Sequence, residues 1–162
     1  MARKVESKTF KVAGKGEEVE ASEVTISITP LDGNTGGLLG IKLLQLFGPS
    51  IVGVIAAMET DDLSKVSAMA SDFFTKMTPA EFKSIRDQLF AGGQVQELGE
   101  FSDLNAAFIA DRFAGHVGSL YALVFFALKV NFRNFFDDLG IGKARINALI
   151  AKVETSKAMK KS

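Results

Sequence analysis

The chain has 162 residues, which fits one domain with a substantial buried core. Apolar residues make up 47% and charged residues 23%, a balance typical of globular and not of disordered proteins. The formal net charge is zero, which argues against attraction to nucleic acid by global charge, and the absence of cysteine excludes disulfides, thiolate catalysis and cysteine-ligated metals.

Neither the start of the chain nor its longest apolar stretch suggests a membrane. The first eight residues carry bases with no apolar run behind them, so we expect no secretory signal. The stretch from Leu120 to Phe132 is shorter than the roughly 20 residues of a membrane span and contains Lys129. We therefore expect a soluble protein without a membrane partner.

Residues 7–29 predict a β-hairpin. Thr9 to Val12 and Val24 to Thr29 alternate polar and apolar residues, and Gly14-Lys15-Gly16 supplies a turn. The side-chain parity of Val19 and Ala21 does not match that of Val24 and Ile26, so we expect a bulge near Ser22. Because an isolated hairpin is only marginally stable in water, its apolar face should lie on helices or on another chain.

Helices are expected to follow. Asn34 or Thr35 is expected to cap an apolar helix that is broken or kinked at Gly48-Pro49 and resumes from Ser50 to Met58. A further helix is expected from Asp61 to Met77.

The firmest helix boundary is Thr78-Pro79-Ala80-Glu81, which has the capping-box pattern and opens a helix that ends at Gly92-Gly93. Gln94 to Gly99 is ambiguous between a loop and a strand that pairs with the hairpin. Ser102 or Asp103 is then expected to open a short helix.

A long helix is expected from His116 to Phe132, and an amphipathic one after Gly142. The sequence thus predicts an α+β, predominantly α-helical fold, in which an N-terminal β-hairpin packs on a bundle of about five to six helices. We expect one compact domain built from a hairpin segment (1–32), a helical core (33–140) and a basic C-terminal helix and tail (141–162). The tail suits a solvated helix face better than a nucleic-acid contact.

No catalytic centre is predicted. His116, the only histidine, has no G-x-S-x-G elbow near it and is interpreted as a helix-end or partly buried imidazole. Asp61/Asp62 and Asp137/Asp138 are interpreted as helix caps. No spacing suits a metal, and the glycine-rich run 33–40 lacks the Gly-Lys-Ser/Thr ending of a phosphate loop. We expect no enzyme, no cofactor and no metal.

Phenylalanine is concentrated in the C-terminal half: eight of the fourteen lie between Phe101 and Phe136. Apolar residues from Leu120 to Phe132 cover most of a helix circumference, and one small domain buries all of them only if that helix is central. Otherwise a patch of roughly several hundred Å² remains for apolar segments of another chain. The candidate partner-binding residues are Phe113, Leu120, Tyr121, Val124, Phe125, Leu128, Phe132, Phe135 and Phe136.

The segment Arg112-Phe113-Ala114-Gly115-His116-Val117-Gly118-Ser119-Leu120, followed by Phe126-Ala127-Leu128-Lys129-Val130-Asn131-Phe132 and Phe135-Phe136, resembles a signature of the tail assembly chaperones of tailed bacteriophages. Those proteins similarly show Phe-Ala-Gly before a helix, and an apolar-Asn-Phe ending with a Phe a few residues later. The order of hairpin, leucine-rich helix broken at Gly-Pro, and further helices is similar too. The chain departs from the pattern at Arg112, where His or Asp is common, and at Arg133, where a small residue is common.

The resemblance implies a protein that binds the long, hydrophobic tape-measure protein, keeps it soluble and helps recruit tail tube subunits. It implies action in the host cell cytoplasm and absence from the mature virion, with oligomers and a frameshifted longer form of the chain as further expected partners. The alternative is a structural minor tail or tail-completion protein of the virion. The chaperone hypothesis predicts that Phe125→Asp or Leu120→Asp abolishes binding, whereas unfolding of these variants would place both residues in the core.

Overall fold

A computed structural model describes residues 4–15, 21–48 and 75–132 of the chain. Its strands are β1 (Glu6–Val12), β2 (Ser22–Ile28), β3 (Gln94–Glu97) and β4 (Glu100–Asp103), and its helices are α1 (Gly33–Phe47), α2 (Pro79–Phe90), α3 (Ala106–Arg112) and α4 (Val117–Phe132). The strands form one antiparallel sheet in the order β1-β2-β3-β4.

The predicted architecture is therefore wrong. In the described residues, four helices accompany a four-stranded antiparallel sheet, in place of a hairpin on a bundle of about five to six helices. The sheet takes strands from both the predicted hairpin segment and the predicted helical core. The expected helices at 50–58 and 61–77, and the amphipathic helix after Gly142, fall wholly or almost wholly outside the described residues.

The N-terminal hairpin itself is confirmed. The β1–β2 pairing runs without a bulge from Glu6 opposite Ile28 to Val12 opposite Ser22. One face of the sheet is apolar and buried, and its members on these two strands are Phe10, Val12, Val24, Ile26 and Ile28. The other face is polar, and on it the hydroxyls of Ser7 and Ser27 are hydrogen-bonded at 2.9 Å.

Of the second hairpin, β3–β4, the sequence indicates only β3, and only as one of two interpretations. β3 pairs with β2, as one interpretation of Gln94 to Gly99 allowed, but β4 occupies the place where a helix was expected to begin. All four β4 residues are exposed, so the strand has no alternation of apolar and polar residues to reveal it. Asn105, and neither Ser102 nor Asp103, caps α3 by accepting the N–H of Phe108 at 2.9 Å.

The helix boundaries follow local capping chemistry. Asp32, and not the predicted Asn34 or Thr35, caps α1, and its Oδ1 accepts the N–H of Thr35 at 2.8 Å. The helix ends at Phe47, before Gly48, whose φ of 55° confirms the predicted break. The capping box of α2 is also confirmed: Glu81 N–H donates to Thr78 Oγ1, and Thr78 N–H donates to Glu81 Oε1, both at 3.1 Å.

Helix α4 connects the sheet with helix α2. It packs on β1, where the Phe10 and Phe126 rings lie 5.9 Å apart, and on α2. At its end, Asn131 Oδ1 accepts the N–H of Leu31 at 2.8 Å, and Asn131 Nδ2 donates to the carbonyl of Ala127 at 2.9 Å. The asparagine of the apolar-Asn-Phe motif therefore fixes the end of α4 to the connection between β2 and α1.

Candidate partner-binding surface

Helix α4 is central to the fold, which is the arrangement in which one domain can cover a helix that is apolar nearly all round. Leu123, Ala127 and Leu128 are fully buried, and Val124 is 1% exposed. They belong to one cluster with the apolar face of the sheet and the inner faces of α1 and α2. Much of the apolar character of this segment thus stabilises the fold.

The structure describes seven of the nine predicted partner-binding residues, and these seven differ in burial. Phe113, Val124, Phe125, Leu128 and Phe132 are buried, Leu120 is partly buried, Tyr121 is exposed, and Phe135 and Phe136 lie outside the described residues. Their contact with a partner stays a prediction. Among the described members of this set, Tyr121 is the most exposed to solvent.

Apolar side chains remain accessible at the start of α4. Val117 and Tyr121 are 50% and 39% exposed and lie four residues apart, so they share one side of the helix. The Tyr121 ring meets Phe82 of α2 edge-on, with centroids 6.1 Å apart, and Leu120 lies beside them, partly buried. We call Val117, Leu120, Tyr121 and Phe82 the α4 patch.

A second accessible stripe lies on α1. Leu38 and Ile41 are 64% and 54% exposed and lie three residues apart, while Leu39 and Leu43 on the inner side are buried. Hydrogen bonds from Thr78 lower the pKa of the Glu81 carboxyl, and the nearby Lys42 amine lowers it further. Leu38 and Ile41 form the accessible side of this helix, which we call the α1 stripe.

The third accessible group lies at the tip of the β3–β4 hairpin and was not predicted. Leu98 is 99% exposed and Phe101 is 66% exposed. Phe101 was visible only as one of many phenylalanines, and an isolated Leu before Gly99 gives no periodic signal. Their accessibility depends on the hairpin, and the hairpin was not recognised.

Beneath this hairpin, a buried ion pair ties three elements together. The guanidinium of Arg112 donates from Nη1 to Glu97 Oε1 at 3.0 Å and from Nη2 to Glu97 Oε2. Its Nε donates to the carbonyl of Ala13 at 2.8 Å, and Ala13 N–H donates to the carbonyl of Arg112 at 2.6 Å. The hydroxyl of Ser22 and the amine of Lys15 complete the shell of Glu97, at 3.0 and 3.3 Å.

This polar cluster is structural. The hydrogen bonds from Arg112 lower the pKa of Glu97 to about 2, so the carboxylate stays ionised and exchanges no proton near neutral pH. Every buried side-chain nitrogen and oxygen in the described residues has a hydrogen-bond partner, as expected of a pair retained inside a fold. Arg112, noted in the sequence only as a departure from a motif, is the residue that closes α3 onto the sheet.

The low pKa of Glu97 predicts acid sensitivity. Because the pKa is about 2 in the folded chain against an ordinary 4.5, the stabilisation is complete above pH 4.5 and is lost as the pH falls towards 2. The loss should amount to about 3 kcal/mol of unfolding free energy. Urea denaturation at several pH values measures it, with Glu97→Gln as the control whose stability should change less over this window. Equal pH dependence in both proteins would contradict the assignment.

Of the candidate catalytic residues considered in the sequence, His116 lies in the described part of the chain. His116 is partly buried at the start of α4, where its carbonyl accepts the N–H groups of Ser119 and Leu120 at 3.1 and 3.2 Å. No cluster of His, Asp and Glu in the described chain is arranged to hold a metal ion. The two aspartate pairs, Asp61/Asp62 and Asp137/Asp138, lie outside the described residues. None of the described helices has the length and apolar content needed to cross a bilayer.

Comparison with known protein families gives a match. A family model described as phage tail assembly chaperone protein, TAC, matches residues 22–143, which is more than half of the chain. The match covers β2 to α4 and therefore the α4 patch, the α1 stripe and the β3–β4 hairpin. No curated protein and no solved structure matches the chain significantly.

Proposed function

The chain belongs to the phage tail assembly chaperone family, and from this we propose that it binds the tape-measure protein of the phage tail, keeps that hydrophobic protein soluble and helps recruit tail tube subunits. It does so in the host cytoplasm and leaves before the virion is complete. Support comes from the apolar side chains that stay accessible around a filled core, in a protein of a chaperone family, a non-catalytic kind of protein.

The size and separation of the accessible groups suit reversible holding. Each group has only two to four apolar residues, so no single contact is large. Association costs several kcal/mol of translational and rotational free energy, and a few half-exposed side chains exceed that cost only when several groups act together. A chaperone that must release its partner needs contacts of this strength, because weaker contacts raise the dissociation rate.

The partner-binding residues proposed from the sequence take two roles in this proposal. Tyr121 and Leu120 contact the partner directly, together with Val117 and Phe82 of the α4 patch. The buried members hold α4 in place beneath that patch, with Phe125 only 7% exposed. Phe135 and Phe136 remain in the proposed surface on the strength of the family resemblance alone.

Co-expression tests the function. The wild-type chain is expected to keep its phage's tape-measure protein in the soluble fraction and to co-purify with it. Tyr121→Asp puts a charge in the α4 patch and is expected to reduce the co-purified amount by about tenfold, equivalent to about 1.4 kcal/mol. Ser84→Asp, an exposed position on α2, is the matched control and should leave binding unchanged.

Two results would contradict the proposal. A tape-measure protein that stays insoluble beside the folded wild-type chain would remove the holding role. Mass spectrometry that finds the chain in purified virions, at the copy number of a tail component, would favour the structural alternative.

A further inference from the structure

We propose that the free edge of β4 binds an extended, basic segment of the partner polypeptide as an additional strand, with Leu98 and Phe101 as apolar anchors beside it. This inference names the form of the partner segment and so rests on the proposed function. Strand addition at an open edge uses main-chain hydrogen bonds for affinity and neighbouring side chains for selectivity.

The backbone geometry shows which groups the edge offers. A two-residue turn at Leu98-Gly99 makes Glu97 and Glu100 a hydrogen-bonded pair, and the N–H of Leu104 donates to the carbonyl of Gly93 at 3.0 Å. Bonded and non-bonded pairs alternate in an antiparallel ladder. The N–H and C=O groups of Phe101 and Asp103 therefore point away from β3, towards the open side of the sheet.

Within the described residues, no other element covers this edge. All four residues of β4 are exposed, and the strand is last in the sheet order. An open edge is a template for pairing with another chain, and folded proteins cover it, keep it short, or protect it with charged side chains, proline or a bulge. The four-residue β4, Glu-Phe-Ser-Asp, has no proline and no lysine, and its protection consists of two carboxylates, which oppose pairing with an acidic strand but favour a basic one.

Leucine at position 98 does not stabilise the folded chain in the absence of a partner. Its φ is 50°, a conformation that favours Gly, Asn or Asp, and the following Gly99 has a φ of 82°. Its side chain is 99% exposed and so contributes no burial. Neither turn preference nor packing accounts for leucine here, whereas contact with a partner would. Backbone strain at an exposed apolar residue is a reason to look for function at that place.

The charge of β4 favours a basic segment of the partner over a second copy of this chain. Glu100 and Asp103 lie at the two ends of β4, and neither forms a salt bridge within the described residues. A second copy of β4 would add two more carboxylates, and the resulting pair of strands would contain no lysine or arginine. Like charges on paired strands oppose pairing. A strand with lysine or arginine beside apolar residues complements both the carboxylates and the anchors.

Variants of the full chain separate the parts of the proposal. Asp103→Pro removes one outward N–H at a position where an edge strand tolerates proline, and Asp103→Ala removes the carboxylate but keeps the N–H. Leu98→Asn relieves the left-handed conformation and removes the anchor. We expect Leu98→Asn to raise Tm by about 2–4 °C and yet to bind less, a combination that a structural role for Leu98 does not produce.

The test uses a synthetic ten-residue peptide that alternates Lys and Val, with a Glu/Val peptide as control. The Lys/Val peptide is expected to bind at least about tenfold more tightly, to protect the amides of Phe101 and Asp103 from hydrogen exchange, and to lose about tenfold in affinity with Asp103→Pro. Asp103→Ala should lose less. Equal binding of both peptides, protection located elsewhere, or a lower Tm in Leu98→Asn would overturn the proposal.

Co-expression with the tape-measure protein separates this inference from the function on which it rests. If the wild-type chain and Asp103→Pro hold that protein equally well, edge binding is wrong and the proposed function stands. If the Lys/Val peptide binds the edge but the tape-measure protein is not held, the proposed function is wrong and the edge site stands. Self-association of the chain that Asp103→Pro abolishes would assign the edge to a second copy instead.

Discussion

Arg112→Met is expected to lower the free energy of unfolding by about 3–5 kcal/mol. The substitution leaves the Glu97 carboxylate, 9% exposed, without its two guanidinium bonds and removes the bond from Arg112 Nε to the carbonyl of Ala13. Removal of one member of a buried ion pair is costly because the remaining charge keeps its desolvation penalty. Urea denaturation near pH 7, followed by circular dichroism, measures the change.

Two further variants make this prediction specific to the buried pair. Lys15→Met removes an amine that is 65% exposed, and it should cost less than about 1 kcal/mol because solvent screens that contact. The double variant Arg112→Met/Glu97→Met should recover much of the loss, since it leaves no buried charge unpaired. A single Arg112→Met variant as stable as Lys15→Met would show that the pair contributes little.

Phe125→Asp is expected to unfold the chain. The Phe125 side chain is 7% exposed inside the shared core, and its replacement removes a large apolar side chain and buries a carboxylate in one step. The combined cost is about 5 kcal/mol or more, which is comparable to the whole stability of many domains. Circular dichroism and gel filtration should show loss of structure or aggregation.

Tyr121→Asp is the matched comparison on the same helix. Its position is 39% exposed, so the cost should stay near 1 kcal/mol, mostly from the lost contact with the Phe82 ring. The chain should remain folded and bind less of its partner. A folded Phe125→Asp protein that has lost binding would contradict this division and would place Phe125 in direct contact with the partner, as the sequence alone predicts.

The sequence predicted the elements whose signals are local. The alternation of Val24, Ile26 and Ile28, the capping box at Thr78 and the apolar run of α4 each depend on neighbours within a few residues, and each is confirmed. The architecture was wrong because the β3–β4 hairpin has no such signal. Its outer strand is exposed on both sides, and its turn carries leucine where Asn or Gly is usual.

The candidate surface was predicted by residue type but not by orientation. Periodicity gave α4 as a helix, yet a helix that is apolar all round carries no information about which side faces the core. That choice is made by β1 and α2, which lie far from α4 in sequence. The ion pair of Arg112 and Glu97 was invisible for the same reason, since fifteen residues and a hairpin separate its members.

The hydrogen bond from Leu31 N–H to Asn131 spans 100 positions, so it can form only late in the synthesis of the chain. The connection between β2 and α1 can form this hydrogen bond only after α4 has left the ribosome. Until then the apolar face of the first hairpin also lacks its contact with Phe126. A nascent chain therefore spends most of its translation with part of that side uncovered. Folding of the described part of the chain is therefore completed late, when the last turn of α4 emerges from the ribosome. Until then the nascent chain exposes apolar side chains and itself needs protection from aggregation.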